Sequence, residues 1–192
     1  MSWLELVAAL LGFINVWLTI RENVWCWPIG IVNVALYVKV FWEARLYSDM
    51  GLQVIYVILQ FWGWYHWLHG GKERPQPPVT ILGKRKLAAW IAAAALGATA
   101  LGWVMHHRTD AALPFVDATA TIVSLVAQYL MTRKYLESWF LWIFVDVVSV
   151  GMYAFKQLWP TAVLYAVFLV MAACGYFVWR RSWKKEESLR AA

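Results

Sequence analysis

Long apolar runs and short polar joints alternate along all 192 residues. Seven windows are almost free of charge: 3–20, 24–42, 50–68, 87–105, 113–131, 139–156 and 161–179. Each is close to the roughly 20 residues that a helix needs to cross the hydrocarbon layer. The joints are Arg21-Glu22-Asn23, Glu43 to Asp49, Gly70 to Lys86, His106 to Asp110, Arg133 to Ser138, and Lys156 to Pro160. In lipid each backbone amide must be satisfied within its own segment, so the windows predict seven transmembrane helices and an all-α integral membrane fold. The first window opens on Trp3 and Glu5, with no basic leader and no small-residue cleavage site, and is expected to be retained rather than cleaved.

The pattern also repeats. "NVWLTIRENVWCW" (15–27) reads like "QYLMTRKYLESWFLW" (128–142), "NVALY" (33–37) like "SVGMY" (149–153), and "GWYHW" (63–67) like "GYFVW" (175–179). Each half is then three helices, spans one to three and spans five to seven. Span four, rich in Ala and Gly, has no counterpart. Two three-helix units in direct succession would have opposite orientations, and one extra span between them makes them parallel. The expected organisation is a first three-helix bundle (1–69), a cytoplasmic loop and linking helix (70–111), a second bundle (112–180) and a cytoplasmic tail (181–192). Parallel repeats with a midplane site at their interface are a transporter architecture. The small residues of span four equally suit plain close packing or oligomerisation.

Composition strengthens the membrane reading: the chain is 62% hydrophobic and holds 15 Trp, whereas an ordinary soluble domain is nearer half apolar. The net charge of +6 would suit nucleic acid, but its placement argues for topology. With the tail cytoplasmic, Arg21, Lys72, Arg74, Lys84, Arg85, Lys86, Arg133 and Lys134 share a side with Arg180, Arg181, Lys184, Lys185 and Arg190. That is 13 of the 17 basic residues. Only Lys39, Arg45, Arg108 and Lys156 face the other way. This positive-inside bias puts the N-terminus outside and leaves no role for nucleic acid. Cys26 and Cys174 lie inside spans and read as small buried hydrophobes, with neither metal spacing nor a disulfide framework.

Candidate chemistry lies on single helical faces. Trp27, Gly30, Asn33 and Tyr37 share a stripe in span two. Trp142, Asp146, Ser149 and Tyr153 repeat it in span six. Span five carries Asp117, Thr121, Ser124 and Gln128. Span three carries Gln53, Tyr56, Gln60 and Gly63, with Trp64 alongside. A carboxylate at bilayer depth costs roughly 3 kcal/mol, so these stripes are expected to converge on a shared, partly wet interior. The competing uses are specific. Asn33, Gln53, Gln60, Gln128 and Ser149 can serve as hydrogen-bonding glue between helices. Trp27 lies near a membrane end and can anchor there, and Trp3, Trp25, Trp103, Trp159 and Trp179 suit an aromatic belt. Asp117, just past Pro114, can cap span five or stand at a pore entrance. Lys39 and Lys156 can snorkel outward. Asp146 is deep in its span with no basic residue within a turn, which favours a site or pathway.

Rings beside amides and a carboxylate suit a flat heterocycle with a polar tail. Stacking on an aromatic side chain is worth roughly 1–3 kcal/mol per base-like ring, and a cationic ring gains more from Trp and Tyr faces. The expected solute is therefore nucleoside-like or vitamin-like, and cationic charge would suit it. No cofactor is called for. His66 and His69 fall at one membrane side and His106 and His107 at the other, so they cannot share a metal, and an enzyme reading is weak. A purely structural or sensory protein would use the polar stripes only as glue.

At these residues the chain resembles the PnuC-type vitamin transporters. The motifs that carry the resemblance are "WPIGIVNVALY", "RLYSDMGLQ", "GWYHW" and "LMTRKYLESWFLW" followed by "DVVSVGMY". It extends over nearly the whole chain, from span one to the tail. It implies a duplicated three-helix transporter with a linking helix, similar to SWEET-type sugar transporters, assembled as a homotrimer in a bacterial inner membrane. It also implies uptake of nicotinamide riboside by facilitated diffusion, with a cytoplasmic kinase trapping the solute. Relatives that take thiamine, riboflavin or a deoxynucleoside keep those solutes as alternatives. The resemblance carries substrate binding over to Trp27, Asn33, Tyr37, Gln53, Gln128, Trp142, Asp146, Ser149 and Tyr153, with Gly30 among the motif positions, and the polar stripe of span three adds Gln60 and Trp64 to the expected binding residues.

Overall fold

The computed structural model describes residues 3–43, 47–71, 76–109 and 112–191. Seven helices account for most of them: α1 (Trp3–Ile20), α2 (Cys26–Glu43), α3 (Tyr47–His69), α4 (Lys84–Arg108), α5 (Pro114–Thr132), α6 (Ser138–Phe155) and α7 (Trp159–Ala191). The expectations placed on Arg45, Lys72, Arg74 and Asp110, and on the side chains of Trp3, Glu5 and Arg190, lie outside the described residues.

Four of the helices, α4 to α7, are long and apolar enough to cross a membrane, and α1 and α2 carry shorter apolar stretches, Leu6–Ile20 and Cys26–Lys39. The 23-residue α3 is diluted by the glutamines, tyrosines and tryptophans of its polar face. The expected tail at 181–192 is a helical continuation of α7, which runs for 33 residues. Nothing between Gly175 and Ala191 is Gly or Pro, so no stop signal follows the last apolar turn.

Helix contacts close a ring. Among the described residues α1 touches α2, α2 touches α3, α3 touches α5, α5 touches α6, α6 touches α7, and α7 returns to α1. The seams between the halves are α1 with α7 and α3 with α5. Helix α4 stands outside the ring and, among the described residues, packs on α5 alone. Its small residues make that contact: Ala94, Ala98 and Gly102 are buried, and a Cβ on Gly102 would come 2.4 Å from the Phe115 ring.

One end of the ring is closed by aromatic packing. Trp27, Trp67, Trp139 and Trp179 are all at most 2% exposed. Trp27 meets Trp67 edge-on at 5.3 Å, Trp139 meets Trp179 edge-on at 5.4 Å, and Trp67 touches Trp179 at 5.9 Å. Two glycines admit the outer pair, since a Cβ on Gly63 would lie 2.1 Å from the Trp27 ring and one on Gly175 would lie 2.5 Å from Trp139. Trp179 is thus a core residue and not a belt residue; its indole N–H donates to the Thr19 carbonyl at 3.1 Å. Trp25, Trp103 and Trp159 are exposed, as a belt requires. Cys26 is buried, but Cys174 is exposed, because its face of α7 points away from the ring.

The same end holds a buried charge. Lys134 is 2% exposed; its Nζ donates to Glu22 Oε2 at 3.0 Å and Gln76 Oε1 at 3.2 Å, and lies 4.4 Å from the Trp67 ring centre. Lys134 is therefore an internal ion-pair partner rather than a free surface charge. The loop before α4 is fastened beside it. The Thr80 N–H donates to the Lys134 carbonyl, the Leu136 N–H donates to the Thr80 carbonyl, and the Leu82 N–H donates to the Glu137 carboxylate.

Candidate functional site

Above the tryptophan layer the polar stripes occupy the middle of the ring. Asp146 is the ninth residue of α6, which places it about 12 Å from that helix's start, near the middle of a bilayer whose hydrocarbon core is about 30 Å thick. Its side chain is 4% exposed and that of Ser149, one turn on, is 3% exposed. Neither side chain has a hydrogen-bonding partner among the described residues. Gln60 on α3 and Gln128 on α5 are also buried, without a side-chain hydrogen bond among the described residues. Polar groups so placed without protein partners are the ones a polar solute or water can satisfy.

Tyrosines form the far side of this layer. Tyr165 on α7 stacks on Tyr153 of α6 with ring centres 5.2 Å apart. It lies within electrostatic reach of Asp146, Tyr56 of α3 and Tyr37 of α2. Side chains from both halves therefore gather around one ring. Tyr165 was not legible in the sequence, because a lone tyrosine in the aliphatic run "TAVLYAVFLV" looks like any lipid-facing or packing residue. Its one signal was position, ten residues before Gly175 on the α7 face that packs toward α1.

The structure sorts the other candidates. Tyr56 donates to the Ser124 hydroxyl, which in turn donates to the Thr121 carbonyl at 2.8 Å. This relay crosses the seam between α3 and α5. The Asn33 amide donates to the Ala8 carbonyl of α1 at 2.5 Å, so at least one of its protons ties helices together. Asn15, also unforeseen, does the same, donating to the Cys26 carbonyl at 2.7 Å. Gly30 makes the three-way approach possible, since a Cβ there would meet the Asn15 amide nitrogen at 2.4 Å and the Gln60 amide nitrogen at 2.6 Å. Gln53 is half-buried higher on α3.

The predicted tryptophans are placed lower. Trp27 belongs to the closing layer itself, and Trp64 and Trp142 are partly buried against it. They floor the polar layer. Asp117 neither caps α5 with its side chain, Leu113 being the N-cap, nor stands free: it pairs with Lys156 at 3.3 Å. Lys156 is thereby held by the carboxylate instead of extending away to the interface.

Two cavities are outlined elsewhere. One, about 650 Å³, lies at the charged end outside the tryptophan layer, between Glu22, Gln76, Lys134 and Lys185. The other, about 440 Å³, is an apolar groove between α4, α5 and α6. The polar layer borders neither of them.

The chain is similar to known proteins. The family model described as Nicotinamide mononucleotide transporter matches residues 2–181. The nicotinamide riboside transporter PnuC of Escherichia coli is 26% identical, over 98% of this chain and 89% of the relative. The riboflavin/roseoflavin transporter RibM of Streptomyces davaonensis is 28% identical, over 77% of this chain and 70% of the relative. The crystal structure of the vitamin B3 transporter PnuC superposes with a TM-score of 0.77 at 30% identity, covering 96% of this chain and 83% of the other.

Proposed function

We propose a function from one premise: this chain belongs to the nicotinamide mononucleotide transporter family. The chain carries nicotinamide riboside across a bacterial inner membrane by facilitated diffusion, and a cytoplasmic kinase traps the solute by phosphorylating it. It performs no bond chemistry of its own. The observation that carries this reading is Asp146: a carboxylate 4% exposed, at mid-depth, unpartnered within the described residues and facing a cluster of tyrosines. A cationic pyridinium riboside supplies what that group lacks, with a charge for the carboxylate, a ring to stack on tyrosine, and hydroxyls and a carboxamide for Gln60, Gln128 and Ser149.

The finer architecture follows the same reading. All seven helices span the membrane, and two parallel three-helix units in the manner of SWEET transporters are joined by α4. Support comes from positions 112 residues apart: Trp27 with Trp139, Gly63 with Gly175, Trp67 with Trp179 and Glu22 with Lys134. The end carrying Arg21, Lys84 and the α7 tail faces the cytoplasm, as the positive-inside bias requires. Transport is then a rocking of the two units about the polar layer, with the tryptophan layer closing its cytoplasmic side, in a homotrimer of independent pathways.

A related vitamin on the same scaffold is the second reading, favoured by the likeness to RibM. A binding screen on the purified protein, read by tryptophan quenching, compares nicotinamide riboside, thiamine, riboflavin and a deoxynucleoside. Nicotinamide riboside is expected to bind most tightly. Asp146→Asn removes a charge-assisted contact worth about 1.5–3 kcal/mol, roughly 10- to 100-fold in affinity, for a cationic solute. Riboflavin, which is neutral, loses little. Tightest binding of riboflavin, unchanged in Asp146→Asn, would establish the second reading. In proteoliposomes without kinase or gradient, the solute is expected only to equilibrate, and accumulation above equilibrium would overturn facilitated diffusion.

A further inference from the structure

The apolar groove outside the ring ends at a cluster of cations. Its walls include Leu87, Trp90, Ala95 and Thr99 of α4 and Val126 of α5. Along α4 it runs from Leu87 to Thr99, about 18 Å at the helical rise, against the roughly 15 Å depth of one leaflet's hydrocarbon. At its mouth the first three residues of α4, Lys84, Arg85 and Lys86, are all exposed. Helices α4 and α5 are antiparallel, with Gly102 against Phe115, Gly97 against Ile122 and Trp90 against Tyr129. That register brings Arg133, exposed at the end of α5, level with Lys86. Four cations thus crown a groove one leaflet deep, and Trp90 sits just below them, where an indole faces headgroups.

Three cations in the first turn of a helix oppose its dipole, and none of the four has a bonding partner among the described residues. Side alone does not require them to crowd one groove mouth. We propose that this groove holds one acyl chain of an anionic phospholipid, whose phosphate is bound by Lys84, Arg85, Lys86 and Arg133. A zwitterionic lipid fits the apolar walls equally well but carries its own cation to the cluster. The occupant is therefore distinguished by net headgroup charge.

The test is native mass spectrometry of the full chain in micelles supplied with equimolar phosphatidylglycerol and phosphatidylcholine. Phosphatidylglycerol is expected to be retained selectively. The triple change K84Q/R85Q/K86Q is expected to weaken that retention roughly a hundredfold, at about fivefold per cation. The exposed Ala95→Trp, which fills the groove without touching the cations, is expected to abolish retention as well. Circular dichroism and elution volume establish that each variant is folded. Equal retention of the two lipids, or selective retention undiminished by Ala95→Trp, would overturn the proposal. So would an Ala95→Trp chain that loses subunits while still holding phosphatidylglycerol, since a second copy would then occupy the groove.

Discussion

A glycine decides the packing at two places where the chain could least tolerate a methyl group. Gly63 and Gly175 each lie flat under an indole, and a Cβ would overlap Trp27 or Trp139 at 2.1 and 2.5 Å. Overpacking of this kind costs about 1–3 kcal/mol. Gly63→Ala and Gly175→Ala are each expected to lower the melting temperature of the purified protein by similar amounts, measured by intrinsic fluorescence. Gly51→Ala, which meets nothing within 4 Å, is the neutral control. At this scale the sequence showed polar residues on particular faces but not which partner each would take. Asn33 and Asp146 look equally misplaced in apolar helices. Asn33 finds the Ala8 carbonyl, while Asp146 finds no hydrogen-bonding partner among the described residues, and only the neighbouring helix decides between them.

Elements were the most legible level. Charge-free windows and short joints placed the helices to within a few residues, except that α7 runs on to Ala191, well past its window. Longer-range features escaped because they arise between elements far apart in sequence. Tyr165 gains its meaning from helices α2, α3 and α6. The Glu22–Lys134 pair joins two turns 112 residues apart. Helix ends show local strain that sequence could not reveal. Glu22, Lys134 and Gln157 all have positive φ, at 54°, 53° and 57°, just after α1, α5 and α6, in a conformation that suits glycine. Glu22 and Lys134 are retained for their ion pair. Gln157 is exposed and has no such task. Gln157→Gly is expected to stabilise the protein by about 0.5–1 kcal/mol, measured as a rise in melting temperature with solute binding unchanged.

For the whole molecule, the ring of six helices meets at two seams, and the end that carries the tryptophan layer is also locked by charge. Removing one partner of a buried ion pair leaves the other uncompensated, at about 3–5 kcal/mol for a fully buried pair; Glu22, at 22% exposed, brings the expected cost toward the lower end. Glu22→Gln strands the Lys134 charge among indoles. It is expected to loosen this end, seen as greater accessibility of a cysteine introduced at Gln128 to a water-soluble maleimide. The exchanged double variant Glu22→Lys/Lys134→Glu restores the pair but places a carboxylate against the Trp67 face, where a cation sits 4.4 Å away, so only partial recovery is expected.

On the proposed duplication, the lock joins like positions of the two halves, and so do Trp67 and Trp179. A symmetric dimer of either half alone would set glutamate against glutamate, or lysine against lysine, at its own twofold axis. Opposite signs can meet there only when the two copies are free to differ, which a single continuous polypeptide permits. On that reading the covalent link through α4 lets an attractive contact replace a repulsive one between the halves.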